Sequence, residues 1–131
     1  MKEPVWIRKI EALAFHSQQI ALFGGSDGVR DRGLLESALA RPQNLFAYAE
    51  TAVTMADLAA SYAFGIARNH PFVDGNKRTA MQVAFVFLEF NDFPVTATQE
   101  DAYLTFLSLA AGEIKEDQLA LWFAEHAKAG E

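Results

Sequence analysis

The sequence predicts an all-α fold, a single compact bundle of about six helices in one domain over residues 1–131. Apolar residues recur at spacings of three and four along several segments, as on a helix face turned to a core, and almost nothing reads as strand. Glycine, proline and Asn/Asp breaks separate those segments. Hydrophobic residues make up 51% of the 131-residue chain and Phe supplies eleven of them, enough for a core that needs no staples.

The first helix is predicted from about Val5 to Leu22, with Ile7, Ile10, Ala14, Ser17 and Ala21 at helical spacing, and Gly24-Gly25-Ser26-Asp27-Gly28 breaks it. Asp31 is a plausible N-cap for a short helix holding Leu34, Leu35, Ala38 and Leu39, which Pro42 is expected to end. A looser stretch runs from Gln43 to Thr51. Thr54 can cap a helix from Met55 to about Asn69, stopped by Pro71. The turn Asp74-Gly75-Asn76 leads into a helix from Lys77 to about Phe90. Apolar residues cover most of its sides, so it is expected to be central and buried. Thr98 can cap a helix from Gln99 to Ala111, Gly112 breaks it, and a last helix runs from about Lys115 to Ala127.

There is no cysteine, which excludes disulfides and thiolate metal sites. The net charge of −6 disfavours binding nucleic acid by bulk electrostatics. The N-terminus has acidic and proline residues and no long apolar run, so it does not read as a signal peptide. The most apolar stretch, Thr79 to Phe90, is too short to span a bilayer. The expectation is a cytoplasmic protein with no direct nucleic-acid or membrane partner.

One segment concentrates chemistry: His70-Pro71-Phe72-Val73-Asp74-Gly75-Asn76-Lys77-Arg78, between two helices. A helix start exposes unpaired N–H groups and carries partial positive charge, which makes it an anion site. Gly75 permits close backbone approach or positive φ. Lys77 and Arg78 oppose the dipole there, at a cost of roughly 0.3–1 kcal/mol each, a cost that a bound anion would explain. A histidine such as His70 can take a proton from an attacking hydroxyl. A lone carboxylate such as Asp74, beside phosphates, is what Mg²⁺ usually takes from a protein. Arg68 could clamp a phosphoryl oxygen. These are the parts phosphoryl transfer needs. Singly, each has a blander reading: a structural or solvated histidine, an ordinary Asp-Gly-Asn turn, a solvated Lys-Arg pair. The combination is what points to a phosphate site.

At these residues the sequence resembles the Fic/Doc family, and within it the Doc branch. His70, Phe72, Asp74, Gly75, Asn76 and Arg78 match the pattern His-x-Phe-x-(Asp/Glu)-Gly-Asn-Gly-(Lys/Arg). The segment from Phe23 to Arg41 is also similar to the N-terminal region of Doc-like proteins. Lys77 stands where most Fic proteins have the second glycine, and Met81 where they have a second arginine. Fic proteins with that glycine and arginine typically transfer AMP. Doc-like members carry the lysine and are kinases that phosphorylate a threonine of elongation factor Tu, which arrests translation.

The resemblance implies His70 as general base, Asp74 as Mg²⁺ ligand and Gly75, Asn76, Lys77 and Arg78 as a nest for the phosphates of ATP, with Arg68 matching a Doc arginine. Thr96 to Glu100 is the nearest match to the inhibitory helix of many Fic enzymes, but Asp101 follows it and the match fails. The resemblance therefore implies a toxin of a toxin–antitoxin system, restrained by a separate Phd-like antitoxin whose C-terminal segment folds into a groove. The alternatives are a Fic-type adenylyltransferase and a non-catalytic Fic-fold binding module.

Other residues are assigned bland roles. His16 reads as a partly buried helix histidine, although it could face the motif. His126 reads as structural or solvated, and Trp6, Trp122 and Phe123 as core. Asp27, Arg30 and Asp31 could touch a protein substrate or serve in caps and turns. Glu113, Glu116 and Asp117 surround a helix start, where acidic side chains are stabilising.

Overall fold

The computed structural model describes residues 2–130. Six helices follow in order: α1 (Lys9–Phe23), α2 (Arg32–Tyr48), α3 (Met55–Asn69), α4 (Asn76–Phe90), α5 (Gln99–Ala110) and α6 (Glu116–His126). Among the described residues the only strand-like features are two isolated bridges, Val29 with Phe72 and Val95 with Ala127. Among the described residues no helix is long and apolar enough to cross a membrane.

The central element is α3. From Ala56 to Ala67 every residue is buried except Asp57 and Phe64, which are half-buried. Most of these residues are small, so neighbouring helices approach closely. A Cβ added at Gly65 would lie 3.5 Å from the Ala38 Cα of α2. α2, α4, α5 and α6 all pack on α3. The start of α3 is capped as its sequence predicts: Thr54 Oγ accepts from Asp57 N–H at 3.1 Å, and the Asp57 carboxylate accepts from Thr54 N–H at 2.9 Å. α4 shares the interior through Thr79, Ala80, Val83, Ala84, Phe87 and Leu88, while its other sides remain half-covered.

Two boundaries differ from the sequence reading. α1 starts at Lys9 rather than near Val5 because tertiary hydrogen bonds hold the preceding backbone. Val5 N–H donates to Asn91 Oδ1 at 2.7 Å, and Ile7 N–H donates to the Tyr62 hydroxyl at 3.0 Å. Burial keeps that Tyr62 phenol neutral, raising it well above its ordinary range. α2 does not stop at Pro42. It continues to Tyr48, taking in part of the stretch expected to be loose. A proline inside a helix removes one backbone bond and costs about 3 kcal/mol in isolation. Packing opposes that cost here: Pro42 is buried, and Leu45 and Phe46 of the same helix pack on the core. Arg41, the residue before the proline, is held by a forked ion pair to Glu116 of α6, with one arm at 2.7 Å, and by the Ser61 hydroxyl at 3.2 Å.

Aromatic side chains fill the space around α3 and α4. Trp6 stacks on Phe87 with ring centroids 5.9 Å apart, and Tyr62 meets the same ring at 5.0 Å. Phe123 is fully buried and Trp122 partly so, as expected of core residues. His126 is structural: its Nδ1 donates to Trp122 O at 2.7 Å, and its Nε2 lies 3.1 Å from Asp101 of α5. Phe87→Ala should lower the free energy of unfolding by about 3–5 kcal/mol, because the ring is fully enclosed and leaves a cavity. Urea denaturation measures this, and a loss below ~1 kcal/mol would contradict the assigned packing.

Candidate functional site

The loop between α3 and α4 starts from a strained residue. His70 closes α3 in the left-handed region, at φ 50° and ψ 55°, a conformation that is uncommon for any residue but glycine. Its N–H still bonds Ile66 O at 3.2 Å. The chain then turns inward, and Phe72 is buried under the helix pair. Asn76, itself buried, holds that turn shut. Its Oδ1 accepts from Phe72 N–H at 2.9 Å, and its Nδ2 donates to Phe72 O at 2.9 Å. Those two bonds fix which end of the amide is nitrogen. The same Nδ2 lies 3.3 Å from His70 Nδ1. One buried side chain thus ties Phe72 to the start of α4 and sits beside the His70 ring.

Gly75 is the N-cap of α4, with φ 74°, and makes no side-chain capping bond. The N–H groups of the first turn therefore lack the usual capping oxygen. Lys77 and Arg78 stand in this turn, and among the described residues neither has a carboxylate within ion-pair distance. Arg78 instead donates to Gly24 O at 3.0 Å and lies over the Phe23 ring at 5.4 Å. The result is an open helix terminus carrying two cations in no direct ion pair, an electrostatic arrangement suited to an anion.

These groups line one cavity of about 690 Å³. His70, Asp74, Gly75, Asn76, Lys77 and Arg78 form one wall, Phe23, Gly24 and Gly25 a second, and Tyr103 and Ala110 of α5 reach it from a third side. The sequence-selected residues are thus brought together, except Arg68. It is exposed, its guanidinium rests 5.3 Å from the Phe64 ring centroid, and it does not line the cavity. Met81 is half-buried against the core and is likewise off the cavity wall.

Asp74 is exposed on that wall. Its Oδ1 accepts from Gly75 N–H at 2.8 Å and its Oδ2 from Ser26 N–H at 3.2 Å. The Gly75 N–H, then the Ser26 N–H, then the nearby Arg78 cation hold the carboxyl below the usual carboxylate range. The carboxylate is therefore ionised, and each oxygen retains a lone pair beyond its backbone bond. This fits a hard divalent cation that takes one carboxylate from the protein and completes its shell with phosphate oxygens and water. Among the described residues no cluster of three His, Asp or Glu side chains offers a fuller cage.

The sequence reading missed how far the N-terminal segment enters the site. Arg30 Nε donates to His70 O at 2.7 Å, and its terminal nitrogen to Asn69 O at 2.9 Å, so it caps the open carbonyls of α3. The backbone of Gly25, at φ 114°, lies so close to Asp74 that an added Cβ would sit 2.6 Å from Oδ2. His16 is buried and touches the loop directly. Only the glycines carry a signal in the sequence; the contacts of Arg30 and His16 follow from packing between distant segments. Asp31, by contrast, is the N-cap its position predicts, accepting from Leu34 N–H at 2.9 Å.

The helical bundle and this loop make the chain a member of the Fic/Doc family, whose model, described as Fic/DOC family, matches residues 6–88. It is similar to Protein kinase doc of Escherichia phage P1, 37% identical over 110 residues that cover 84% of this chain and 86% of the phage protein. It is also similar to Toxin Doc of Mycolicibacterium smegmatis, 45% identical over 75 residues, which cover 57% of this chain and 58% of that protein.

Asn76→Ala should destabilise the protein by about 1–3 kcal/mol, because it strands the Phe72 N–H inside the fold. Thermal unfolding followed by circular dichroism measures the loss, and an unchanged midpoint would show that the amide does not close the loop.

Proposed function

We propose that this protein is a Doc-type toxin kinase, which transfers the γ-phosphate of ATP to a threonine of a translation factor, elongation factor Tu in the first instance, and so inhibits translation. The observation that carries this reading is the pair of cations, Lys77 and Arg78, that make no direct ion pair at the open N-terminus of α4 and face the same cavity as His70 and Asp74. The likeness to a phage protein named as a kinase and to a protein named as a toxin supports it.

In this reading the α4 N–H groups, Lys77 and Arg78 bind and orient the triphosphate, and they neutralise charge that spreads over the transferred group. Asp74 would hold Mg²⁺, which when bound would offset the negative charge of the phosphates. The threonine hydroxyl oxygen attacks the γ-phosphorus, His70 takes the hydroxyl proton, and ADP leaves. Taking a proton at Nε2 requires a neutral ring with its hydrogen on Nδ1. In that form Asn76 Nδ2 and His70 Nδ1 are both donors, so their 3.3 Å approach is not a hydrogen bond and the ring must turn slightly away from the amide. Lys77 fills space that a glycine would leave open, which favours a triphosphate lying with its γ-phosphorus, rather than its α-phosphorus, toward the nucleophile. The cytoplasm is the compartment that supplies this target. A Phd-like antitoxin is the proposed restraint. The exposed apolar side chains Tyr103, Leu104 and Leu107 of α5, with Tyr103 on the cavity wall, offer a face for its C-terminal segment.

The test uses purified protein, Mg²⁺, elongation factor Tu and ATP labelled at the γ- or α-phosphate. Label should transfer from the γ position only, and His70→Ala should slow it by about 10²–10⁴-fold while leaving the fold intact. Label from the α position would make the protein an adenylyltransferase and refute the orientation assigned to Lys77. In cells, His70→Ala should abolish growth arrest; arrest that persists in a folded variant would remove His70 from the chemistry.

A further inference from the structure

His16 lies 58 residues before Asp74 in the chain and outside the motif, yet it is 2% exposed and in direct contact with the loop. Its Nε2 lies 2.8 Å from the Asp74 carbonyl oxygen. A carbonyl only accepts, so Nε2 carries the hydrogen and donates it. The ring also stacks on Phe72, with centroids 3.9 Å apart and planes within 6°. The remaining nitrogen, Nδ1, is 3.8 Å from Asp27 Oδ1, on the loop that supplies the Ser26 N–H to the Asp74 carboxylate.

We infer that His16 is a positioning residue for the reaction: its Nε2–H fixes the Asp74 main chain, and through it the carboxylate, at the distance from Lys77 and Arg78 that the triphosphate requires. This rests on the reading of Asp74 as the cation-holding carboxylate. The physical need is specific. The Asp74 side chain is exposed and tethered only by two backbone N–H groups, one of them its own neighbour's. Gly75, with its left-handed φ, gives the peptide before it, which carries the Asp74 carbonyl, freedom to swing. A buried donor on the Asp74 carbonyl removes that freedom. The Phe72 stack holds the imidazole in plane for the bond and anchors the loop's only buried aromatic. Among the described residues no other side chain bonds the Asp74 carbonyl. Imidazole supplies both the flat face and a donor at this reach.

The experiment compares two near-isosteric replacements, His16→Gln and His16→Met. Both lose the aromatic stack, and only Gln keeps an N–H at comparable reach. Measured on the full chain are the thermal midpoint, amide hydrogen exchange of Val73 and Gly75, and steady-state transfer from γ-labelled ATP to elongation factor Tu, with His70→Ala as the inactive control. His16→Met is expected to remain folded, to exchange the loop amides at least ~10-fold faster and to lose about 10–100-fold in kcat at unchanged KM for the protein target, the scale of a 1 Å misplacement. His16→Gln should recover most of both. Equal behaviour of the two variants, impaired or not, overturns the proposal and leaves His16 as packing. Nitrogen chemical shifts of the wild-type ring give a second test that needs no variant: hydrogen on Nε2 is required, and a bare Nε2 refutes the bond. If the wild type transfers no label, the kinase reading fails, while the exchange and nitrogen-shift results still decide the role of His16.

Discussion

The Asn76 side chain, bonded twice to the backbone of Phe72, is the interaction on which the geometry of the site depends. It converts the six-residue stretch between α3 and α4 into a closed turn. The bonds are buried, so water does not compete for them, and breaking them would leave polar groups stranded. With that turn fixed, His70 must end α3 in the left-handed region and Asp74 must lie at the mouth of the cavity. The strain at His70 is held by the surroundings: Asn76 beside its ring, Arg30 on its carbonyl and the last bond of α3 on its N–H.

The second constraint comes from the segment between α1 and α2. Its Gly25 brings backbone rather than a side chain against Asp74, where the carboxylate accepts the Ser26 N–H. Two backbone bonds join the same segment to the loop: Arg30 N–H donates to Pro71 O at 2.7 Å, and Val73 N–H to Gly28 O at 3.0 Å. The motif loop is therefore clamped from both sides, by α4 within and by the N-terminal loop without. α3 makes this possible by being almost wholly small and buried, so that α2 can lie close enough to present its leading loop.

The helix starts and stops were legible wherever local chemistry decides them. Thr54, Thr98 and Asp31 cap α3, α5 and α2 as their positions in the sequence imply, because a cap is a contact over three residues. Pro42 misled because the cost of a helical proline is local while the gain that outweighs it is tertiary. The start of α1 misled for a related reason: Val5 and Ile7 spend their N–H groups on Asn91 and Tyr62, partners far along the chain. Arg68 has the residue type for a phosphate clamp, but the rotation of α3 and the Phe64 ring hold it away from the cavity.

By itself the sequence determined the helical class, the order of the elements, the family and the residues of the loop. Each of these is written in short-range spacing: apolar periodicity, caps and a motif nine residues long from His70 to Arg78. Only the tertiary structure decided that His16, Gly25 and Arg30 contact the motif loop, and that Arg68 stands off the cavity wall. Those assignments depend on how α1 and its following loop cross α3 and α4. The crossing is set by packing of small residues and buried rings across the whole core, a sum of non-local contacts that leaves no periodic trace in the chain.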